Sequence, residues 1–144
     1  CCCGGGGLIS GISLILKNEW PEIKIHPVEP KNWNDTQLSL QKGQRVEVKK
    51  NIKSICDALL AKIPGRITFN LNKKLLSNGL TVSDKEVLNS INFAYKHLKI
   101  VIEPGGAVAL ASALNHQQLI KNKKVLVIIS GGNIDYKVFK TALF

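Results

Sequence analysis

Apolar residues along this chain fall in short runs that switch between helical spacing and the dense clusters of buried strands. Leu8, Ile9, Ile12, Leu14, Ile15 and Leu16 predict a short helix over residues 8–18. Pro21 closes that connection, and residues 23–28 read as a strand. Asp35 is placed to cap a short helix through Gln41, which Gly43 ends. Residues 49–63 predict another short helix around Ile55, Leu59 and Leu60. Pro64-Gly65 makes a turn, residues 71–76 look helical, Asn78-Gly79 is a second turn signal, and residues 80–82 form a short strand.

The strongest helix signal begins at Ser83. Ser83-Asp84-Lys85-Glu86 is a capping box, after which Val87, Leu88, Ile91, Ala94, Tyr95 and Leu98 recur at helical spacing. Beyond it the pattern predicts a strand over residues 100–102, a turn at residues 103–106, a helix of small residues over 107–119 and a buried strand over 125–129. This alternation argues for an α/β layered fold of parallel strands and flanking helices, with ligands beyond the carboxyl ends of the strands.

Two glycine turns lie at that end. Cys1-Cys2-Cys3 leads into Gly4-Gly5-Gly6-Gly7-Leu8, and the 125–129 run leads into Ser130-Gly131-Gly132-Asn133. The first offers backbone amides unobstructed by any Cβ at the start of a helix, an arrangement that holds phosphate without a charged side chain. Familiar nucleotide spacings fail here. G-x-G-x-x-G places Ile9, Ser10 or Leu8 where glycine is needed, and a P-loop would have Ile12 in place of its lysine. A single phosphate monoester suits an uncharged cradle better than a triphosphate.

Composition narrows the classes. With 144 residues and 44% hydrophobic content, the chain is one globular domain or a piece of one. It contains no methionine, so it is expected to be part of a longer chain. Four cysteines, three of them adjacent, give no zinc spacing and read as small buried hydrophobes in a reducing compartment. The formal charge of +10 raises the question of nucleic acid. Its lysines are dispersed, Lys49-Lys50 being one of the denser groups, with no interleaved aromatics and only Arg45 and Arg66 as arginines, so no nucleic-acid partner is expected. Neither a membrane span nor a signal peptide is evident, and a cytoplasmic location is expected.

Taken in order, Gly4-Gly5-Gly6-Gly7-Leu8-Ile9-Ser10-Gly11, Val28-Glu29-Pro30, Ile102-Glu103-Pro104-Gly105-Gly106-Ala107 and Ser130-Gly131-Gly132-Asn133-Ile134-Asp135 resemble the fold-type II pyridoxal-phosphate enzymes. Within that family the chain is most similar to the threonine/serine dehydratases (threonine ammonia-lyases) and serine racemase, over essentially all 144 residues. The resemblance implies part of the large domain of a tryptophan-synthase-beta-like fold. It implies that Gly4, Gly5, Gly6, Gly7 and the Leu8 amide wrap the phosphate of pyridoxal 5'-phosphate, and that Ser130 hydrogen-bonds the pyridine nitrogen. A hydroxyl cannot hold that nitrogen protonated as an aspartate would, which favours elimination or racemisation. Glu103 resembles the family's acidic residue beside the ring. Glu29, the Trp33 carbonyl and Asp35 reproduce the spacing at which racemase-like members bind a divalent cation, and such hard oxygen ligands suit Mg2+ or Ca2+. The competing reading is a strand-end Glu and a helix-capping Asp.

The family's Schiff-base lysine sits upstream of the glycine loop, and no lysine here has its context. Residues 1–144 are therefore expected to be the C-terminal portion of the catalytic domain, with the half that carries the lysine missing and no catalysis by these residues alone. The implied activity is conversion of a β-hydroxy amino acid, L-threonine or L-serine, to a 2-oxo acid and ammonia. Serine racemase and 3-hydroxyaspartate dehydratase share the same motifs, and a non-catalytic phosphate- or nucleotide-binding module is the rival from another class. A small amino-acid substrate and a homo-oligomeric full-length protein are the expected partners.

Overall fold

The computed structural model describes residues 1–48 and 52–144. In chain order it contains α1 (Gly7–Glu19), β1 (Val28–Pro30), α2 (Asp35–Lys42), a 3-10 turn (Asp57–Leu59), α3 (Arg66–Leu75), β2 (Leu80–Val82) and α4 (Asp84–Phe93). A π turn (Ala94–Leu98), α5 (Pro104–Asn115), α6 (Gln117–Ile120) and α7 (Tyr136–Leu143) complete it. β1 and β2 pair in parallel, Val28 opposite Leu80 and Pro30 opposite Val82, and Cys2 makes a parallel bridge to Val28 on the other side of β1. Three chain segments thus run side by side in one direction, as the alternating pattern requires, and α5 packs on β1, β2 and α4.

The core explains the composition of α5. Every residue from Pro104 to Ser112 is buried. Gly105 lies against the 3-10 turn, where a Cβ would sit 3.3 Å from the Ala58 side chain, and a Cβ on Gly106 would approach the Gly131 backbone to 2.9 Å. Small residues let this helix start directly behind the glycine turns. Val28, Val82, Val87, Ile91, Ile102, Val108 and Cys2 form the main cluster around it. Cys2, Cys3 and Cys56 are buried and all four cysteines are free thiols, as small apolar residues would be.

Several sequence expectations change. The predicted 23–28 strand begins only at Val28: Pro27 has no amide to donate, and the preceding residues are tied to residues 77–80 by isolated bonds such as Ser77 N–H to the Ile25 carbonyl. Residues 100–102 and 125–129 are not strands. They run without a ladder, and Val125 and Leu126 are exposed along a groove of about 550 Å3 that they share with residues 22–28. The expected turn at residues 103–106 is the first turn of α5, because Glu103 is extended and Pro104 fits the first helical position. The helix expected over 49–63 reduces to the 3-10 turn, residues 49–51 lying outside those described. α3 starts at Arg66 instead of residue 71, and α7 was not anticipated although Asp135 caps it through the Lys137 and Val138 amides. The capped helix at Ser83 forms with both capping-box bonds in place.

Candidate functional site

The strand segment of Cys2 and Cys3 ends in the four glycines, and α1 follows at once. Gly6, at φ 90° and ψ 0°, is the residue before its first helical turn. That left-handed step is available to glycine without strain and leads straight into α1, whose first residues line the same hollow as the loop. α1's first amides have no intrahelical acceptor, and the backbone bonds of the described residues use none of the Gly4, Gly5, Gly6, Gly7 and Leu8 amides. The loop carbonyls are occupied on the far side. The Thr68 hydroxyl and Gly65 amide donate to the Gly5 carbonyl at 2.7 and 3.3 Å, and the Ser10 amide and hydroxyl donate to the Gly6 carbonyl at 3.0 and 2.7 Å. The Ser10 hydroxyl also lies 2.9 Å from buried Asn72 Oδ1. Carbonyls are hooked to α3 and α1, and the amides are left free.

Those amides face a hollow of about 300 Å3, lined by residues 4–8 together with Cys2, Ala58, Leu59, Glu103 and Ser130. The two glycine turns, separated by more than a hundred residues, therefore share one cavity. Ser130 is exposed at its rim, with its Oγ 3.1 Å from Cys2 Sγ. Glu103 lies between the two turns: its amide donates to the Gly131 carbonyl at 3.0 Å and its Oε2 accepts from the Asn133 amide at 3.1 Å, which fixes the second turn against the start of α5. A Cβ on Gly5 or Gly7 would meet no atom within 4 Å, so space in front of these residues is open to a ligand. Neutral amides at a helix N-terminus suit a phosphate, and a lone hydroxyl across the cavity suits an unprotonated ring nitrogen. The residues present fit a small phosphorylated heteroaromatic such as pyridoxal phosphate. Among the described residues no lysine lines the hollow.

Glu29, Trp33 and Asp35 lie outside this cavity, at the end of β1 and the start of α2. The predicted cap is corrected here: Asn34 precedes α2 and Asp35 is its first residue. Glu29 does the capping, its Oε1 accepting from the Thr36 amide and its Oε2 from the Gln37 amide, both at 2.8 Å. Both carboxylates are fully buried, and neither Asp35 oxygen has a hydrogen-bond donor. Burial pushes both carboxyls well above the usual range, and the charge of Asp35 adds to the effect on Glu29. An orphaned carboxylate beside a second one fits a cation supplied with a carbonyl and water, although the described residues hold no cluster of three acidic, His or Cys ligands. Cys3 joins the two regions, its Sγ 3.4 Å from Thr36 Oγ1.

Sequence reasoning missed Ser10, Thr68, Asn72 and Cys2. Thr68 and Asn72 are four apart on α3 and so share a face, a signal that was available once the helix is begun at Arg66. No helix among the described residues is long and apolar enough to cross a membrane.

The chain is 39% identical over 134 residues to serine racemase of Schizosaccharomyces pombe, covering 93% of this chain and 41% of that protein. It is 41% identical over 134 residues to L-threonine ammonia-lyase of Thermotoga maritima, covering 92% and 32% respectively. It superposes on the processed form of threonine deaminase isoform 2 from Solanum lycopersicum with a TM-score of 0.90 at 31% identity, over 98% of this chain and 39% of that one. The chain thus spans well under half the length of these relatives. Residues 1–131 match the family described as "Pyridoxal-phosphate dependent enzyme", and the chain belongs to that family, with the α/β fold of its fold-type II members.

Proposed function

We propose that these residues form the phosphate- and ring-nitrogen-binding side of a threonine/serine dehydratase, which converts L-threonine or L-serine to a 2-oxo acid and ammonia. One observation carries the reading: the tetraglycine amides, Glu103 and Ser130 line a single hollow. Bound pyridoxal phosphate supplies the electron sink that makes the substrate's Cα proton removable. The amides of residues 4–8, with the N-terminal end of α1, would hold its phosphate, and the Ser130 hydroxyl would donate to its ring nitrogen. Glu103 holds the second turn in register and would present its carboxylate to the ring. Because a neutral hydroxyl leaves the ring a weaker sink, the site favours elimination. Asp35, Glu29 and the Trp33 carbonyl would hold Mg2+ or Ca2+, the unpartnered oxygens of Asp35 being the support.

The lysine that carries the cofactor would come from residues outside these 144, which on this reading are the C-terminal portion of the catalytic domain. The full protein is taken to be a cytoplasmic homo-oligomer, for which four free thiols suit a reducing compartment. The similarity to a serine racemase supports racemisation as the second reading. The test is product analysis of the full-length protein with L-threonine, L-serine and 3-hydroxyaspartate. A borohydride-sensitive absorption band near the visible edge with 2-oxobutanoate from L-threonine is expected. D-serine as sole product selects the racemase, and absence of the band rejects a cofactor enzyme in favour of a non-catalytic phosphate-binding module.

A further inference from the structure

The only hydrogen bond to Ser130 among the described residues is the one to Cys2. Ser130 ends a segment without a strand ladder and is itself exposed, so neither backbone pairing nor burial fixes its side chain. Cys2 is the opposite case: 6% exposed, bridged to Val28 in the sheet and packed in the main core cluster. A serine hydroxyl has one hydrogen and two acceptor lone pairs. If it gave that hydrogen to sulfur, none would remain for a ring nitrogen across the hollow. If the thiol donates, the hydroxyl hydrogen is released in a fixed direction. Cys2 also stands two residues before Gly4, so one short paired segment sets the spacing between the phosphate cup and the hydroxyl.

We propose that Cys2 is a positioning residue: its S–H donates to Ser130 Oγ and orients that hydroxyl to donate to the cofactor's ring nitrogen. This rests on the cofactor reading above. A thiol is a weak donor, and what it contributes here is alignment of a side chain that no other hydrogen bond among the described residues restrains.

The experiment uses the full-length protein with Cys2→Val, which keeps the side chain's approximate volume without a donor, Cys2→Ser, which restores one, and Ser130→Ala. Two quantities are read: the dissociation constant of pyridoxal phosphate from the apoprotein, and the position of the bound cofactor's absorption band across pH. Cys2→Val is expected to weaken binding about two- to ten-fold, the effect of one hydrogen bond. It should move the band in the same direction as Ser130→Ala, and Cys2→Ser should recover both. If Cys2→Val matches the parent while Ser130→Ala does not, the positioning role is wrong and the cofactor reading stands. If Cys2→Ser loses as much as Cys2→Val, the sulfur only packs, and the proposal fails. If Ser130→Ala itself changes neither quantity, both this inference and the cofactor reading fall. Should Cys2→Val not fold, the serine variant decides: an unchanged constant and band support donation, and a loss of either overturns it.

Discussion

Replacing Gly6 by alanine probes how the phosphate cup is built. At φ 90° the new residue adopts a left-handed backbone, which is worth about 1–2 kcal/mol for a residue with a side chain. Its Cβ would lie 2.9 Å from Asn72 Nδ2 and 3.0 Å from Thr68 Oγ1, so one of the two must move. Either shift weakens a hydrogen bond that shapes the loop, Ser10 to Asn72 or Thr68 to the Gly5 carbonyl, adding about 1 kcal/mol. The expected loss is about 2–3 kcal/mol. With a urea slope of roughly 1–3 kcal/mol per molar, the unfolding midpoint of the apoprotein should fall by roughly 1 M. Gly5→Ala and Gly7→Ala are the controls. Neither has a positive φ or an atom within 4 Å of the added methyl, so apoprotein stability should stay within about 0.5 kcal/mol of the parent. Both should weaken pyridoxal phosphate binding, because the methyl occupies space in front of the amides. A Gly6→Ala protein that unfolds at the parent's midpoint, or a Gly5→Ala protein that unfolds as early as Gly6→Ala, refutes the account.

Other expectations follow from single contacts. If Asp35 ligates a cation, Mg2+ or Ca2+ at a hundredfold excess over its dissociation constant stabilises the protein by about 2.7 kcal/mol; thermal unfolding should show that gain in the parent and not in Asp35→Asn, and equal gains would remove the site. Ser83→Ala removes the hydroxyl that accepts from the Glu86 amide at the start of α4, leaving the backbone bond from residue 83 to the Glu86 carboxylate, and should lose about 1 kcal/mol in chemical denaturation, no change being the adverse result. The Ser83 amide and hydroxyl hold the Glu86 carboxyl below its ordinary value, so its contribution is complete above that value and is lost as pH falls through the lowered one; a parent and Glu86→Gln pair that keeps a constant stability difference through acid titration contradicts this. Burial pushes the Cys56 thiol up to about 12. The unfolded chain then releases this proton near pH 9 while the folded one keeps it, so stability falls as pH rises from about 9, and Cys56→Ala should flatten that decline.

Local chemistry was readable where one short segment decides the outcome. The Ser83 capping box, the Gly43 helix stop and the tetraglycine turn before α1 all depend on residues within a few positions of one another. What failed depended on partners elsewhere. Residues 125–129 have the apolar run of a buried strand, but no ladder forms beside them and Leu126 is exposed. Asp35 has the identity of a cap, yet Glu29 reaches across from β1 and takes the two amides instead. That both glycine turns lie at the ligand end was legible from the alternation of strands and helices, and the roles of residues 4–8, Glu103 and Ser130 around one ligand came through the resemblance. No periodicity carries the information that positions 4 and 130 meet, and the thiol and α3 side chains that hold them lie on segments whose roles are purely spatial.

The hooks that Thr68 and Ser10 place on the Gly5 and Gly6 carbonyls act from outside the cup, neither residue lining the hollow. The cup is therefore already formed when an anion arrives, and little loop entropy remains to be lost at capture. Association should run at a rate set by encounter instead of loop ordering. Inorganic phosphate, lacking any ring, should compete with the intact cofactor for this pocket.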